Sequence, residues 1–381
     1  MRLFGERLIG LFNFLLLFVG HRLRWVLLNL VAFVLPLLLR VLPELWNPQP
    51  VGWDTPHYVW AIDRFEEIPH GLLFDNRYMP LLYYVLFGIR VITGLNGAVI
   101  MKVMPPILFA FLSWTVYHYL KTDRVEDRYA FAGLLLFSSS IAALRLSWDH
   151  PKQVFGFAWL MLALAQLTPE AGMPLGHWIR FIIFTILAVA SHETTIIPLI
   201  FISLYYGIWK LRRRFFAFFL VFVVLGITVF IAIFKQWSRV WAYLPKAEPL
   251  NLVLMLWFIA YSMPLNGVLT IYYGLRYYLE GVEYRGVMKV FLFSMILFSF
   301  NVAGGGYIWS PWRFTALASI PMSIFAALSL RDLEQTYPKM KMILISTLIL
   351  LNLVYVAPML LNMKSWLTFP NQPYNFSSGR M

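Results

Sequence analysis

The sequence predicts an all-α, polytopic transmembrane helical bundle, and three observations predict it. Of 381 residues, 60% are hydrophobic and only 13% charged, roughly half the charged share of an ordinary soluble domain. Several apolar runs approach the roughly 20 residues a helix needs to cross a hydrocarbon core of about 30 Å. No turn-punctuated alternation over about ten residues supports a β-barrel.

Taken in order, the chain opens on an apolar run at 8–19. The following Gly20-His21-Arg22-Leu23-Arg24 offers no small-residue cleavage site, and another apolar run begins at once. The run is too short to span, so residues 1–24 are expected to lie on the cytoplasmic surface with their arginines among the headgroups, a second short span being the alternative. Eleven spans are expected at 25–42, 98–119, 129–147, 153–168, 178–191, 194–209, 215–234, 251–275, 288–303, 313–330 and 341–361. The stretch 80–94 is interrupted by Gly88 and Arg90 and spans only about 22 Å as a helix. It is read as a second interfacial helix closing a long outer loop, 43–97. The tail 362–381 is polar and ends outside, carrying an Asn375-Phe376-Ser377 sequon of a kind that arises often by chance.

Charge supports this topology. With the N-terminus in the cytoplasm, the inner segments hold the larger share of Lys and Arg, led by Lys210-Leu211-Arg212-Arg213-Arg214. The net charge of +13 thus reads as an orientation signal; the expected partners are membrane lipids and no nucleic acid. There is no cysteine, which excludes disulfides, thiolate metal sites and cysteine nucleophiles. Any metal would be held by His, Asp or Glu.

Polar clusters fall on the outer side. Gly52-Trp53-Asp54-Thr55-Pro56-His57-Tyr58 follows the first span, and a carboxylate just past a membrane helix is costly to place. Asp149, His150 and Lys152 lie between the third and fourth spans, and His192 with Glu193 forms the turn between the fifth and sixth. Lys235, Arg239 and Lys246 sit in the 235–250 loop, and Arg313 begins the tenth span. Each has a plainer reading: Asp54 and Asp149 as helix caps before a proline, His192-Glu193 as a solvated turn, Arg313 as a snorkelling residue. Together the set is chemically coherent. Two carboxylates with His and Glu nearby can activate an acceptor and hold a divalent cation such as Mg, Mn or Zn through Asp149, His150, His192 and Glu193. Lys152 and Arg313 can grip a phosphate.

A membrane helix, a long outer loop with an early Asp (GWDTPHY), an interfacial helix, two spans, then a short loop with a second Asp (WDHP) resembles the GT-C superfamily of integral-membrane glycosyltransferases. The likeness is to the family 39-like branch of protein mannosyltransferases and aminoarabinose transferases. It covers 25–210 best, and WRFTALASIPM resembles the late Arg-bearing helix start of those enzymes. The resemblance implies a polyprenyl-phosphate sugar donor used at the extracytoplasmic face of the cell membrane. It casts Asp54 as the base that deprotonates the acceptor and Asp149 as a second acid supporting metal or acceptor. Arg313 would face the leaving phosphate, and Lys152 and His192 would contact phosphate or metal. The first loop departs from the family in carrying a lone Asp54, with Asp63 too far along to complete a pair, which leaves the need for a metal open. No large extracytoplasmic domain follows the last span, so a small or lipid-linked acceptor is expected in place of a protein. A transporter and a non-catalytic subunit of a glycan-assembly complex are the rival readings.

Overall fold

The computed structural model describes residues 2–52, 54–67, 80–167, 175–209, 249–280, 286–300, 311–336 and 341–361, and among these the regular structure is entirely helical. The expected span at 215–234, the 235–250 loop up to residue 248, Trp53 and the tail 362–381 with its sequon lie outside the described residues.

Helix α1 runs from Arg2 to Trp46. The sequence reading ended an interfacial segment at residue 24, whereas the helix passes through Gly20–Arg24 without a break. No proline sits there to remove a backbone donor, and arginines disfavour only the lipid environment, leaving helical geometry untouched. Its apolar part, Leu23–Trp46, is long enough to cross a membrane.

A short helix α2 (Thr55–Asp63) and helix α3 (Leu81–Thr93) follow, the latter within the expected stretch 80–94 and shorter than a span. Gly94 closes α3 in the left-handed conformation at φ +71° and donates its N–H to the Arg90 carbonyl at 2.8 Å, a glycine C-terminus. Arg90 Nη1 donates to the Ile62 and Asp63 carbonyls at 3.0 and 2.7 Å, satisfying the end of α2. Asp63 then accepts the Gly97 N–H at 2.8 Å at the start of α4 (Gly97–Thr122). The C-terminal end of α2 is thus tied to both α3 and α4. Tyr58 and Tyr83 are buried and stack at 5.3 Å. Val91 and Ile92 (85% exposed) on α3, and Leu95 and Val99 beyond it, are exposed.

Helices α5 (Asp127–Ser138) and α6 (Ile141–Asp149) occupy the expected third span but meet at a 59° bend. Three consecutive serines explain it: Ser140 Oγ accepts the Ala143 N–H at 3.2 Å and caps α6. Neighbours satisfy the groups this frees. Asn266 Nδ2 donates to the Leu136 carbonyl at 3.2 Å and to Ser323 Oγ at 3.0 Å, and Asn352 Nδ2 to Ser139 Oγ at 2.6 Å. Broken helices persist in membranes where such partners exist. Asn266→Leu is expected to lower stability by about 0.6–1.7 kcal/mol, the range of interhelical hydrogen bonds in membranes. Denaturant unfolding of detergent-solubilised protein checks it.

Helices α7 (Pro151–Gln166), α8 (Leu175–Ser191) and α9 (Ile196–Trp209) come next. After the undescribed stretch, α10 (Pro249–Ser262) and α11 (Pro264–Glu280) bend by 111° at Met263 where one span was expected at 251–275. Pro264 supplies the cause by removing a backbone donor. Then come α12 (Gly286–Phe300), α13 (Pro311–Leu317), α14 (Ser319–Thr336) and α15 (Lys341–Leu361).

Among the described residues, three helices are long and apolar enough to cross a membrane: Leu23–Trp46, Gly97–Thr122 and Arg313–Thr336. The number is five if each bent pair is one span. Helices of 14–17 residues such as α8 and α12 reach only about 21–26 Å. The core lies where α4, α5, α7 and α14 meet, around Phe109, Leu134, Phe137, Phe157 and Ile324.

Polar groups gather at both ends of this core. At one end Lys121 and Arg24 hold Asp127 at 2.6 and 3.0 Å, Arg128 and Tyr129 share Glu334, and Tyr277 donates to Asp332 at 2.9 Å. These groups balance one another in charge. The opposite end has a different character.

Candidate active site

Three separate segments converge at that opposite end: residues 51–58, residues 147–153 and Arg313 on α13. The local sequence explains the first approach. Gly52 adopts φ +136°, and a Cβ there would lie 2.0 Å from the Trp148 carbonyl oxygen. Only glycine lets the first loop touch the backbone of α6 so closely. Thr55 Oγ1 donates to the Val51 carbonyl at 3.1 Å and closes the turn that carries Asp54.

The second approach comes from the WDHP run. His150 ends α6 and begins α7, with Pro151 fixing the new helix start. The imidazole Nδ1 lies 3.3 Å from Asp54 Oδ2; His150 is 3% and Asp54 37% exposed. That distance is slightly long for a hydrogen bond, whose usual range is about 2.7–3.2 Å, and lies within reach of a small side-chain rotation. The ionised carboxylate only accepts, so Nδ1 is assigned the hydrogen. The Asp54 side chain makes no capping bond to α2. Its backbone carbonyl does that work, accepting from the His57 and Tyr58 N–H groups at 3.1 and 3.3 Å.

Charge around Asp54 is cationic. Burial pushes its carboxyl up, but the hydrogen bond and charge of His150, then Arg313 and Lys152, outweigh it, and the net lies below the usual carboxylate value. Burial holds His150 below its ordinary value as well, helped by repulsion from Arg313. The imidazolium part of the attraction therefore lapses near neutral pH, leaving the N–H donor and the two fixed cations. His57 on the rim is lowered by burial and by Lys152. Behind it the buried Tyr58 hydroxyl accepts from the Lys152 backbone N–H. The outcome is an anionic base beside two cations, partly open to solvent.

A pH dependence follows. The folded-state values of His150 and Asp54 are both depressed, so each group contributes stability above its unfolded value that is lost as pH falls through the folded one. Both losses fall on the acid side, with His150 first because its unfolded value is about 6.5. The thermal midpoint should drop as pH is lowered from about 7 to about 5, and His150→Gln should flatten part of that drop. A melting series against pH measures both.

Of the residues singled out in the sequence, the structure brings together Asp54, His150, Lys152 and Arg313. Asp149 turns elsewhere: its carboxylate meets Arg145, one turn back on α6, and faces the charge of Arg40. His192 is engaged locally, its Nδ1 accepting the Thr194 N–H at 3.1 Å while its Cβ packs near Gly156 of α7. Glu193 opens the 3-10 turn Glu193–Thr195, and its side chain lies outside those described. Among the described residues no three His, Asp or Glu side chains converge to hold a metal. The groups around Asp54 suit an anion.

Sequence reasoning missed Arg40 and Glu44. Both lie buried on α1, joined at 2.7 Å, where an ionisable pair at i, i+4 near a span end is itself a signal. The chain matches no protein-family model, and no curated protein matches its sequence.

Proposed function

We propose that the protein is a membrane glycosyltransferase that moves a sugar from a polyprenyl-phosphate donor to a small or lipid-linked acceptor at the extracytoplasmic face. One observation carries this reading: a carboxylate held ionised beside His150, Lys152 and Arg313, drawn from three distant segments to one end of a lipid-facing helical bundle. A hydroxyl-activating base next to two phosphate-binding cations is the minimum an inverting glycosyl transfer needs. The likeness of GWDTPHY, WDHP and WRFTALASIPM to the GT-C pattern, with eleven spans and an N-terminus in the cytoplasm, belongs to the same proposal.

In this mechanism the acceptor hydroxyl oxygen attacks the anomeric carbon as the bond from that carbon to the phosphate oxygen breaks. Asp54 takes the acceptor proton. The electron pair of the broken bond leaves on the polyprenyl phosphate, whose charge Arg313 and Lys152 stabilise, Arg313 with fork geometry. His150 Nδ1–H orients the carboxylate.

Purified protein in lipid nanodiscs, offered a panel of polyprenyl-phosphate sugars with membrane-extract acceptors, should release free polyprenyl phosphate. No release with any donor would remove the reading. A transporter is kept as a second reading on one observation, the two bent helix pairs, since broken helices build transporter sites. Accumulation of a labelled sugar inside proteoliposomes without any lipid-phosphate release would favour it.

A further inference from the structure

We infer that the buried ion pair Arg40–Glu44 is a positioning clamp that sets where Asp54 sits relative to His150. As a statement about catalysis this rests on the reading of Asp54 as the base; as a statement about geometry it stands alone.

The argument begins with the oddity of the pair. Arg40 is fully buried and Glu44 is 4% exposed, both on the first membrane helix. Buried ion pairs are weak devices for stability, because desolvation offsets most of their attraction and apolar side chains of similar size do as well. Their retention calls for another use. Here the polar atoms of the pair are spent on the two loops that make the site.

Glu44 Oε1 accepts from Arg40 Nη1 at 2.7 Å, while Oε2 accepts the Val51 N–H at 3.0 Å. Val51 in turn accepts from Thr55 Oγ1 through its carbonyl, so Glu44 anchors the residue from which the turn carrying Asp54 is closed. Arg40 Nε donates to Ser147 Oγ at 2.9 Å, and its guanidinium lies 5.6 Å from the centre of the Trp148 ring. Ser147 and Trp148 are the residues just before Asp149 and His150. One ion pair therefore grips the first loop with its acid and the second with its base. Gly52 against the Trp148 carbonyl is the point of contact between the two.

Neighbouring charges keep the clamp in register. Lys102 of α4 donates to the Asn47 carbonyl at 2.6 Å and attracts Glu44. Asp149, held by Arg145, attracts Arg40 from the other side. Lys102, Glu44, Arg40, Asp149 and Arg145 thus alternate in sign across α4, α1 and α6. Among the described residues Arg40 Nη2 makes no hydrogen bond, and the guanidinium is held by Glu44 and Ser147. This also gives Asp149 a job in holding the second loop.

The absence of native cysteine makes the test clean. Asp54→Cys with His150→Cys gives a chain whose two thiols report the loop separation through a short bifunctional thiosulfonate cross-linker. The pair is placed in the native background, in Glu44→Gln and in Arg40→Met/Glu44→Met. The apolar double variant keeps the helix packed where Glu44→Gln leaves an unpaired buried charge, and gel filtration in detergent checks that each is folded. Efficient cross-linking in the native background that is mostly lost in both variants is the expected result; equal cross-linking in all three overturns the clamp. In parallel, the cysteine-free Arg40→Met/Glu44→Met protein should lose about 10²-fold in kcat for transfer, as misplacement by an ångström does, with donor KM little changed. Loss of cross-linking with undiminished transfer would overturn its catalytic part. No transfer by the wild type would overturn the transferase reading alone, since the cross-link still decides the clamp.

Discussion

Asp54→Asn is expected to lower the turnover of sugar transfer by about 10²–10⁴-fold, the usual contribution of a positioned general base, with a small loss of stability at neutral pH, where the ionised carboxylate contributes. The amide fills the same space beside His150 and Arg313 but has no basic lone pair for the acceptor proton. Because Lys152 and Arg313 remain, binding of an anionic donor should persist or tighten, so the loss falls on kcat while donor KM holds or falls. The wild-type acid limb should lie below the ordinary carboxylate range, since the Asp54 value is depressed, and the limb should vanish in the variant. A cap-only role predicts the opposite pattern. Asn caps helices as well as Asp does, so transfer would be untouched. The side chain makes no capping bond in any case. Steady-state kinetics across pH with matched melting curves separates the two.

Gly52→Ala carries the second large effect, and it reaches the site through the backbone. A methyl group there would lie 2.0 Å from the Trp148 carbonyl oxygen and 2.6 Å from Thr55 Oγ1, at a φ of +136° that L-residues avoid. The backbone conformation alone costs about 1–3 kcal/mol, and overpacking adds about 1–3 kcal/mol unless the loop lifts away. Lifting relieves the overlap with Trp148 at the expense of the Val51–Glu44 hydrogen bond. The expected result is a folded protein with about 10²-fold less transfer and a first loop newly open to protease. Gly94→Ala is the control: its φ is +71°, yet nothing stands within 4 Å of its Cβ position. It should cost only the left-handed strain of about 1–2 kcal/mol and leave transfer unchanged. Comparable loss of transfer in both would mean that general strain, and no specific contact at Trp148, explains Gly52.

How much of this was legible in the sequence differs by residue. A separate short helix at 80–94 could be read because Gly88 and Arg90 interrupt an apolar run too short to span. The bend at Ser138–Ser140 was hidden, since serine hydrogen-bonds the backbone inside and outside helices alike and gives no clear stop. The shared location of Asp54, His150, Lys152 and Arg313 was foreshadowed by their common place at span ends. That His150, and no longer Asp149, is the partner of Asp54 was not. The two are adjacent in sequence, and which one faces the first loop depends on how α6 ends and α7 begins.

What the sequence by itself determined is the medium and the inventory: a helical chain built for lipid, with ionisable groups saved for its ends. Composition suffices for that, because burying backbone in hydrocarbon leaves helices as the only open option for such apolar runs. What only the tertiary structure decided is which charges meet. Arg40 and Glu44 read as ordinary end-of-span charges until Val51 and Ser147 are seen to complete their hydrogen bonds. Contacts such as Asp54 with His150 or Arg40 with Ser147 join residues far apart in the chain; they follow from helix packing, which local sequence cannot encode, and the candidate site is made of such contacts.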